Sequence, residues 1–259
     1  MNISEFAVAT ARGLLNCALA TPPAGELAAD AALLLAFGGT RQAVLAGDSG
    51  FAAALHFVRA GHRALSFDLP NHGAFVDQYG QSIDGICAAF VAGDDPFARF
   101  VAHGKAAITA CVEKGLARPG RIFACGGSRG GYCALRLAAA EKRIGGVAGL
   151  APVTDWRILR EFEAVKERAD VAGLALYNWA AELAVRPVYL AIGNHDPRVG
   201  THACMELARR LFEEEKPVEE GTSTVEVHVV QAAAHALPEK WAIEGSRFLL
   251  RRCDKEEKT

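Results

Sequence analysis

The sequence predicts an α/β fold built on a mostly parallel sheet, with helices covering both of its faces. Three observations predict it. Short apolar runs, typical of strands buried on both faces, recur at 32–37, 63–69, 121–126, 145–152, 186–193 and 224–230. Segments with a helical pattern separate most of them, as crossover connections between parallel strands require. Hydrophobic residues make up 51% of the 259-residue chain, which is enough to bury a large core.

The remaining elements follow from local patterns. Apolar residues spaced along 3–20, ended by Pro22 and Pro23, predict a helix that covers the sheet. The segment 71–94 is polar and contains glycine, and no element is predicted there. Further helices are predicted at about 49–60, 95–115, 129–141, 201–215 and 238–252, and the charged end, 254–259, as a solvated tail.

The chain is expected to form one domain over residues 1–259, because α/β architectures often reach about 250 residues as a single domain. One segment interrupts the alternation of strands and helices. Residues 154–186 lie between two predicted strands and are rich in tryptophan, leucine and charge. This insertion predicts a small helical cap.

Charge and cysteine content exclude several classes of function. The net charge is -2, so no basic surface is expected to attract nucleic acid or an anionic membrane, and the substrate is expected to be small and roughly neutral. The seven cysteines are scattered without a Cys-x-x-Cys pair, so neither a metal site nor a cofactor is expected. The amino-terminal stretch has an acidic residue, Glu5, before any basic one, and no apolar run is long enough to span a membrane, which favours a cytoplasmic protein. The oligomeric state is left open, a homo-oligomer included.

The stretch "CGGSRGGY", residues 125–132, is the strongest motif. It is not a dinucleotide fingerprint, because Ser128 and Arg129 occupy the places where the second glycine would stand. It is not a phosphate-binding loop either, because no lysine follows its glycines. It does match Gly-x-Ser-x-Gly, with Ser128 between a predicted strand and a predicted helix. Such a turn is either purely structural or exposes a nucleophilic serine at the carboxyl edge of the sheet.

Two later residues favour the nucleophile. A serine hydroxyl is a weak nucleophile and needs a histidine base, which in turn needs a carboxylate to orient it. Asp196 follows the predicted strand 186–193, and His235 follows the predicted strand 224–230. Each alone reads as an ordinary turn or loop residue. Together with Ser128 they occur in the order serine, aspartate, histidine, each after a different strand, which is typical of hydrolases.

Four segments, "FDLPNHG" (67–73), "GGSRGG" (126–131), "GNHDPRV" (193–199) and "AAAHALP" (232–238), resemble the α/β-hydrolase superfamily over about residues 30–252. The resemblance is to its dienelactone-hydrolase-like and prolyl-oligopeptidase-like esterase branch. It implies Ser128 as nucleophile, His235 as base and Asp196 as the orienting acid. Asp155 and Asp68, which also follow predicted strands, are rival candidates for the acid.

The resemblance also implies an oxyanion hole made of backbone N–H groups. One belongs to Arg129, the residue after the nucleophile, and the other to Gly39, with Thr40 in reserve. The chain departs from its relatives here, because Phe37 stands where they often have histidine. Phe37, Thr40 and Trp156 are the predicted substrate-binding residues.

For an arginine, a histidine and two tryptophans, the sequence leaves alternative roles open. Arg129 could bind a substrate carboxylate, or it could be solvated or paired. His72 could approach the site or belong to a turn. Trp156 and Trp179 could line an acyl pocket or hold the cap together.

The predicted function is cofactor-free hydrolysis of a small carboxylic ester through an acyl-enzyme. A serine peptidase acting on short peptides is held second, because the insertion is small and no propeller-sized domain stands beside it. The same three residues would also suit a lyase or an acyltransferase, and the same fold could serve a non-catalytic binding protein.

Overall fold

The computed structural model describes residues 1–46, 52–216, 223–232 and 234–253. Within these residues eight strands form one sheet in the order β1-β2-β4-β3-β5-β6-β7-β8. The strands are β1 (Asn2–Thr10), β2 (Gly13–Thr21), β3 (Leu33–Phe37), β4 (Arg63–Phe67), β5 (Ile122–Gly127), β6 (Ile144–Leu150), β7 (Val188–Gly193) and β8 (Val225–Val230).

All pairings from β4 through β8 are parallel, whereas β2 is antiparallel to both of its neighbours, β1 and β4. Every residue of β3, β5 and β7 is buried, as expected of strands that are covered on both faces. The prediction of a mostly parallel α/β sheet is therefore confirmed.

The helices of the described residues are α1 (Arg41–Ala46), α2 (Ala52–Arg59), α3 (Ser82–Val91), α4 (Pro96–Glu113), α5 (Arg129–Ala140), α6 (Ala169–Ala172), α7 (Ala180–Leu183), α8 (Thr201–Glu214) and α9 (Glu239–Cys253).

Strand β6 shows that helices cover both faces. Gly149 lies against Leu135 of α5, whereas its neighbours Ala148 and Leu150 lie against Gly245 of α9. Successive residues of a strand point to opposite faces, so α5 and α9 lie on opposite sides of the sheet. Helix α2 packs on α9, and α4 packs on α5, which completes the two layers.

The predicted helix over 3–20 is wrong, because these residues form the hairpin β1–β2 with full register from Asn2–Thr21 to Thr10–Gly13. Gly13 lies at the turn with φ +106°, a conformation that side-chain-bearing residues rarely adopt. The buried residues of β2 include Leu15, Cys17 and Leu19, which follow the strand's period of two. The many alanines in this stretch mask that period, because alanine fits a helix equally well.

Two helices were not predicted. Helix α1 follows β3 after the short loop 38–40. Helix α3 lies inside 71–94, where Gly85 approaches the Gly80 carbonyl and the Asn71 amide so closely that a Cβ would overlap them. Gly85 weakens the helical pattern of the sequence, but a larger residue at this position would clash with these neighbours. Of the predicted helix at 49–60, the residues before Ala52 lie outside the described part, as does the predicted tail.

The insertion 154–186 lies between β6 and β7 and contains no long helix. It consists of short 3₁₀ turns at Trp156–Ile158, Arg160–Val165 and Leu176–Trp179, together with the one-turn helices α6 and α7. The role of this segment as a cap stays a prediction.

Candidate active site

Ser128 lies on the turn between β5 and α5 with φ 52° and ψ -122°. This backbone conformation is strained for a residue with a side chain, and such strain persists only where the surroundings impose it. Here the Ser128 N–H donates to the Leu150 carbonyl at 2.9 Å, and the Ser128 carbonyl accepts from Val153 at 3.0 Å. Strand β6 and the segment after it therefore hold the serine at the carboxyl edge of the sheet.

The flanking glycines are needed for close packing. A Cβ on Gly126 would overlap the carbonyl of Gly130, and a Cβ on Gly130 would overlap the carbonyl of Phe37. The strand and the helix of the turn thus meet backbone to backbone, and the helix also meets the end of β3. The sequence motif predicted this use of glycine.

His235 and Asp196 lie beside the serine. The Ser128 Oγ lies 3.0 Å from His235 Nε2, and His235 Nδ1 lies 2.8 Å from Asp196 Oδ2. A carboxylate only accepts hydrogen bonds, so Nδ1 carries the proton and Nε2 is free to accept the serine hydroxyl proton. The structure therefore brings together Ser128, Asp196 and His235, which were predicted from their order along the chain.

Asp196 is buried, and its other oxygen is also engaged. Oδ1 accepts from the backbone N–H groups of Arg198 at 2.9 Å and Val199 at 3.1 Å. These bonds fix the carboxylate in the tight turn after β7, with Oδ2 directed at the imidazole. This arrangement can orient the histidine and stabilise its protonated form.

The two rival acids have other partners. Asp155 accepts from the Arg157 backbone N–H and from Arg157 Nε, each at 3.0 Å, at the start of the insertion. Asp68 binds the backbone N–H of Arg41 and its guanidinium, each at 2.8 Å. Each therefore organises a loop, and of the three aspartates it is Asp196 that contacts His235.

The predicted oxyanion donors lie on adjacent segments. Strand β3 pairs with β5 up to Phe37 and Gly126, so the loop that carries Gly39 begins beside the turn of Ser128. Arg129 is the first residue of α5, where a backbone N–H has no acceptor within the helix. The Gly39 carbonyl accepts from Leu69, which fixes this loop against the end of β4.

The predicted substrate-binding residues lie elsewhere than expected. Phe37 and Trp156 have no exposed surface. Phe37 packs edge to face on Phe67 and Phe100. In this structure both are core residues, and a substrate would reach them only if their neighbours moved.

Thr40 precedes α1, and its Oγ1 accepts weakly from the Ala43 N–H at 3.4 Å, as a residue that caps a helix does. Trp179 is half-buried, with the Arg136 guanidinium 3.5 Å from its ring centroid. This contact anchors the insertion to α5 and agrees with the interpretation that Trp179 holds the insertion in place.

His72, for which two roles were open, lies in the turn after β4. Its Nδ1 bonds the Pro70 carbonyl at 2.8 Å, so Nδ1 carries the proton and Nε2 is the acceptor. Burial lowers the pKa of His72, and the charge of Arg129 lowers it further, although the carbonyl bond opposes the shift. Burial and the charge of Arg129 therefore both favour the neutral imidazole of His72.

Two further observations concern membrane-spanning helices and groups of metal ligands. Among them no helix is both long and apolar enough to cross a membrane. In the same part of the chain no three histidine, cysteine, aspartate or glutamate side chains are grouped as metal ligands would be.

A sheet of this topology, with Ser128 on the turn after its central strand β5, defines an α/β-hydrolase fold. The model of the prolyl oligopeptidase family matches residues 93–252, a span that includes Ser128, Asp196 and His235. The chain belongs to the prolyl oligopeptidase family and is a serine hydrolase. No curated protein matches it in a sequence comparison.

Solved structures share the fold at low identity. A Thermus thermophilus protein is 21% identical with a TM-score of 0.71, over 98% of this chain and 99% of its own. A cold-adapted esterase from an Arctic intertidal metagenomic library is 20% identical with a TM-score of 0.70, over 96% of this chain and 93% of its own. A puromycin-hydrolyzing peptidase of Mycobacterium tuberculosis is 15% identical with a TM-score of 0.68, over 98% of this chain. This chain spans only 39% of that peptidase.

Proposed function

We propose that this serine hydrolase cleaves a carboxylic ester of a small substrate through an acyl-enzyme. The observation that carries the proposal is the continuous hydrogen-bonded series from Ser128 Oγ through His235 to Asp196, with distances of 3.0 and 2.8 Å. A serine that donates to a neutral, oriented imidazole is an activated nucleophile.

In the proposed reaction Ser128 Oγ attacks the acyl carbon while His235 Nε2 takes the hydroxyl proton. The tetrahedral oxyanion is stabilised by the backbone N–H groups of Arg129 and Gly39. Its collapse breaks the bond to the alcohol, which leaves with the proton from His235. Water then attacks the acyl-enzyme with His235 as base again, and the carboxylic acid is released with Ser128 regenerated.

An ester is favoured over a peptide by the chemistry of the leaving group and by the esterase among the structural neighbours. An alcohol is a better leaving group than an amine, so ester cleavage demands less of the histidine as an acid. The family match keeps a peptidase that acts on short peptides as the second candidate.

A substrate panel separates these two candidates. Purified protein is assayed with p-nitrophenyl esters of increasing acyl length and with aminoacyl and short peptide amides. We expect kcat/KM to be highest for a short ester. Turnover of an amide with a kcat/KM above that of every ester would assign the protein to the peptidases instead.

A fluorophosphonate probe tests the nucleophile. We expect the wild type to be labelled at Ser128 and Ser128→Ala to be unlabelled and inactive at an unchanged melting temperature, because alanine removes only the hydroxyl. Ser4→Ala, an exposed position of β1, is the matched control and should be labelled like the wild type. Absence of labelling in the wild type would favour a binding protein, and labelling without ester hydrolysis would favour a lyase or acyltransferase.

A further inference from the structure

The guanidinium of Arg129 has no partner within the part of the chain that the structure describes. The residue directly follows Ser128 and is half-buried, and its Nε is buried without a hydrogen bond. Among the described residues no carboxylate oxygen lies within 4.0 Å of a nitrogen of this guanidinium, and no aromatic ring lies under it. A charged group taken partly out of water is unfavourable unless something compensates for it.

Comparison with other arginines of the protein shows that a guanidinium without a partner is unusual. Six arginines of the described residues have a buried Nε without a hydrogen bond, and the other five use the rest of the guanidinium. Arg41, Arg121 and Arg186 donate to carboxylate or carbonyl oxygens, whereas Arg136 and Arg252 lie over aromatic rings. Arg129 alone among these six has neither kind of contact.

The charges around Arg129 do not neutralise it. Burial lowers the pKa of its guanidinium, the Cys133 side chain opposes the shift, and the positive charge of Arg198 adds to it. Glu161 is the nearby opposite charge, but Arg198 already binds both of its oxygens, at 2.7 and 2.8 Å. Arginine nevertheless stays protonated at neutral pH, so a positive charge is left uncompensated.

The position of Arg129 also locates its side chain. Arg129 is the first residue of α5 and directly follows Ser128. Side chains of a helix point toward its N-terminus, and the N-terminus of α5 lies at the carboxyl edge of the sheet. The guanidinium therefore lies at the same edge of the sheet as the nucleophile.

We infer that the Arg129 guanidinium binds a carboxylate of the substrate, so that the preferred ester carries a negative charge close to the bond that is cleaved. This inference rests on the proposed function. It revises the expectation of a roughly neutral substrate, which came from the net charge of the whole chain and takes no account of one uncompensated side chain. A planar guanidinium with free N–H groups fits a carboxylate in a two-bond geometry.

Two pairs of esters test the inference, one for each side of the scissile bond. On the acyl side, p-nitrophenyl hemiglutarate is compared with its neutral methyl ester. On the leaving-group side, para-acetoxybenzoate is compared with methyl para-acetoxybenzoate. The quantity measured is the ratio of kcat/KM for the charged ester to that for the neutral one, which cancels any effect of a variant on the chemical step itself.

For the wild type we expect a ratio of about 10 to 100 in at least one pair, the range of a hydrogen bond to a charged group. In Arg129→Met, which keeps the bulk of the side chain, the ratio should fall close to one. Arg129→Lys keeps the charge without the planar fork and should give an intermediate ratio, and it preserves the test if the methionine variant does not fold. The control is Arg59→Met, because that side chain is exposed on α2 and its removal changes the net charge equally.

A wild-type ratio near one in both pairs, with the neutral esters hydrolysed, overturns the inference and leaves the proposed function standing. A high ratio that survives in Arg129→Met, or that Arg59→Met lowers equally, also overturns it. Failure of every ester together with failure of the probe to label Ser128 overturns the proposed function and this inference with it.

Discussion

The carboxylate of Asp68 binds Arg41 twice, accepting from its backbone N–H and from its guanidinium, each at 2.8 Å. Asp68 follows β4, and Arg41 is the first residue of α1, directly after the loop of Gly39. The second oxygen of Asp68 also accepts from the Ala74 N–H at 2.8 Å. A single buried carboxylate thus joins the loop that carries the proposed oxyanion donor to the turn that carries His72.

Asp68→Asn should therefore impair both stability and catalysis. Breaking one partner of a buried ion pair typically costs about 3–5 kcal/mol. If the Gly39 loop shifts, kcat should fall while KM changes less, because the oxyanion interaction belongs to the transition state. Chemical denaturation and steady-state kinetics measure the two effects.

Asp170→Asn removes a solvent-exposed ion pair with Arg168 and serves as the control, with an unchanged melting temperature expected. A stable Asp68→Asn protein with wild-type kcat would show that the loop does not depend on this carboxylate.

The acid of the proposed triad is tested by a pair of variants. Asp196→Asn should lower kcat by about 10⁴ with little change in melting temperature, because an amide at this place favours the wrong histidine tautomer. Asp155→Asn should keep most of its activity and lose about 1 kcal/mol or more of stability, since it caps the first turn of the insertion. If the effects of the two variants were exchanged, Asp155 would be the acid.

Gly130→Ala tests the close contact between α5 and the end of β3. The added methyl group would overlap the Phe37 carbonyl, which belongs to backbone and cannot move away alone. We expect a loss of about 1–3 kcal/mol or more, with activity lowered because the turn of Ser128 is displaced. Gly173→Ala, at an exposed position without a positive φ, should be tolerated. Equal melting temperatures for the two variants would contradict the assigned packing.

The pH dependence of stability should show the effect of buried histidines. Burial lowers the pKa of His103 from its usual 6.5, and the charges of Arg99 and Arg12 lower it further. The unfolded chain therefore binds more protons than the folded protein once the pH falls below about 6.5, so stability present at neutral pH is lost on acidification. We expect the melting temperature to fall between about pH 7 and pH 5.

His103→Phe should make that fall shallower, because phenylalanine keeps the stacking on Phe75, at 5.1 Å between ring centroids, and cannot titrate. An identical pH dependence in the variant would show that His103 is not among the groups responsible.

The parallel part of the fold could be predicted from the sequence because its strands are buried on both faces and read as continuous apolar runs. The hairpin β1–β2 could not be predicted, because one side of it faces solvent and alanine fills several of its positions. Gly13 was the available signal, since a glycine in the middle of a helix is unfavourable by roughly 1 kcal/mol and is common at a turn.

The proximity of Ser128, Asp196 and His235 could be predicted because parallel strands end at one edge of the sheet. The burial of Phe37 and Trp156 could not be predicted, because it depends on which segments fold over each residue. Trp156 packs against Phe97, Tyr132 and Phe162, which lie in three separate parts of the chain. No local pattern contains that information.

The order of the strands has a consequence for synthesis of the protein. Ser128 and His235 are 107 residues apart, and His56 of α2 contacts Ser246 of α9 across 190 residues. During synthesis the strand before Ser128 is therefore made long before His235, and the edge of β6 stays unpaired until β7 emerges. Hydrolytic activity should appear only after His235 has left the ribosome, and fragments that end before β8 should have none.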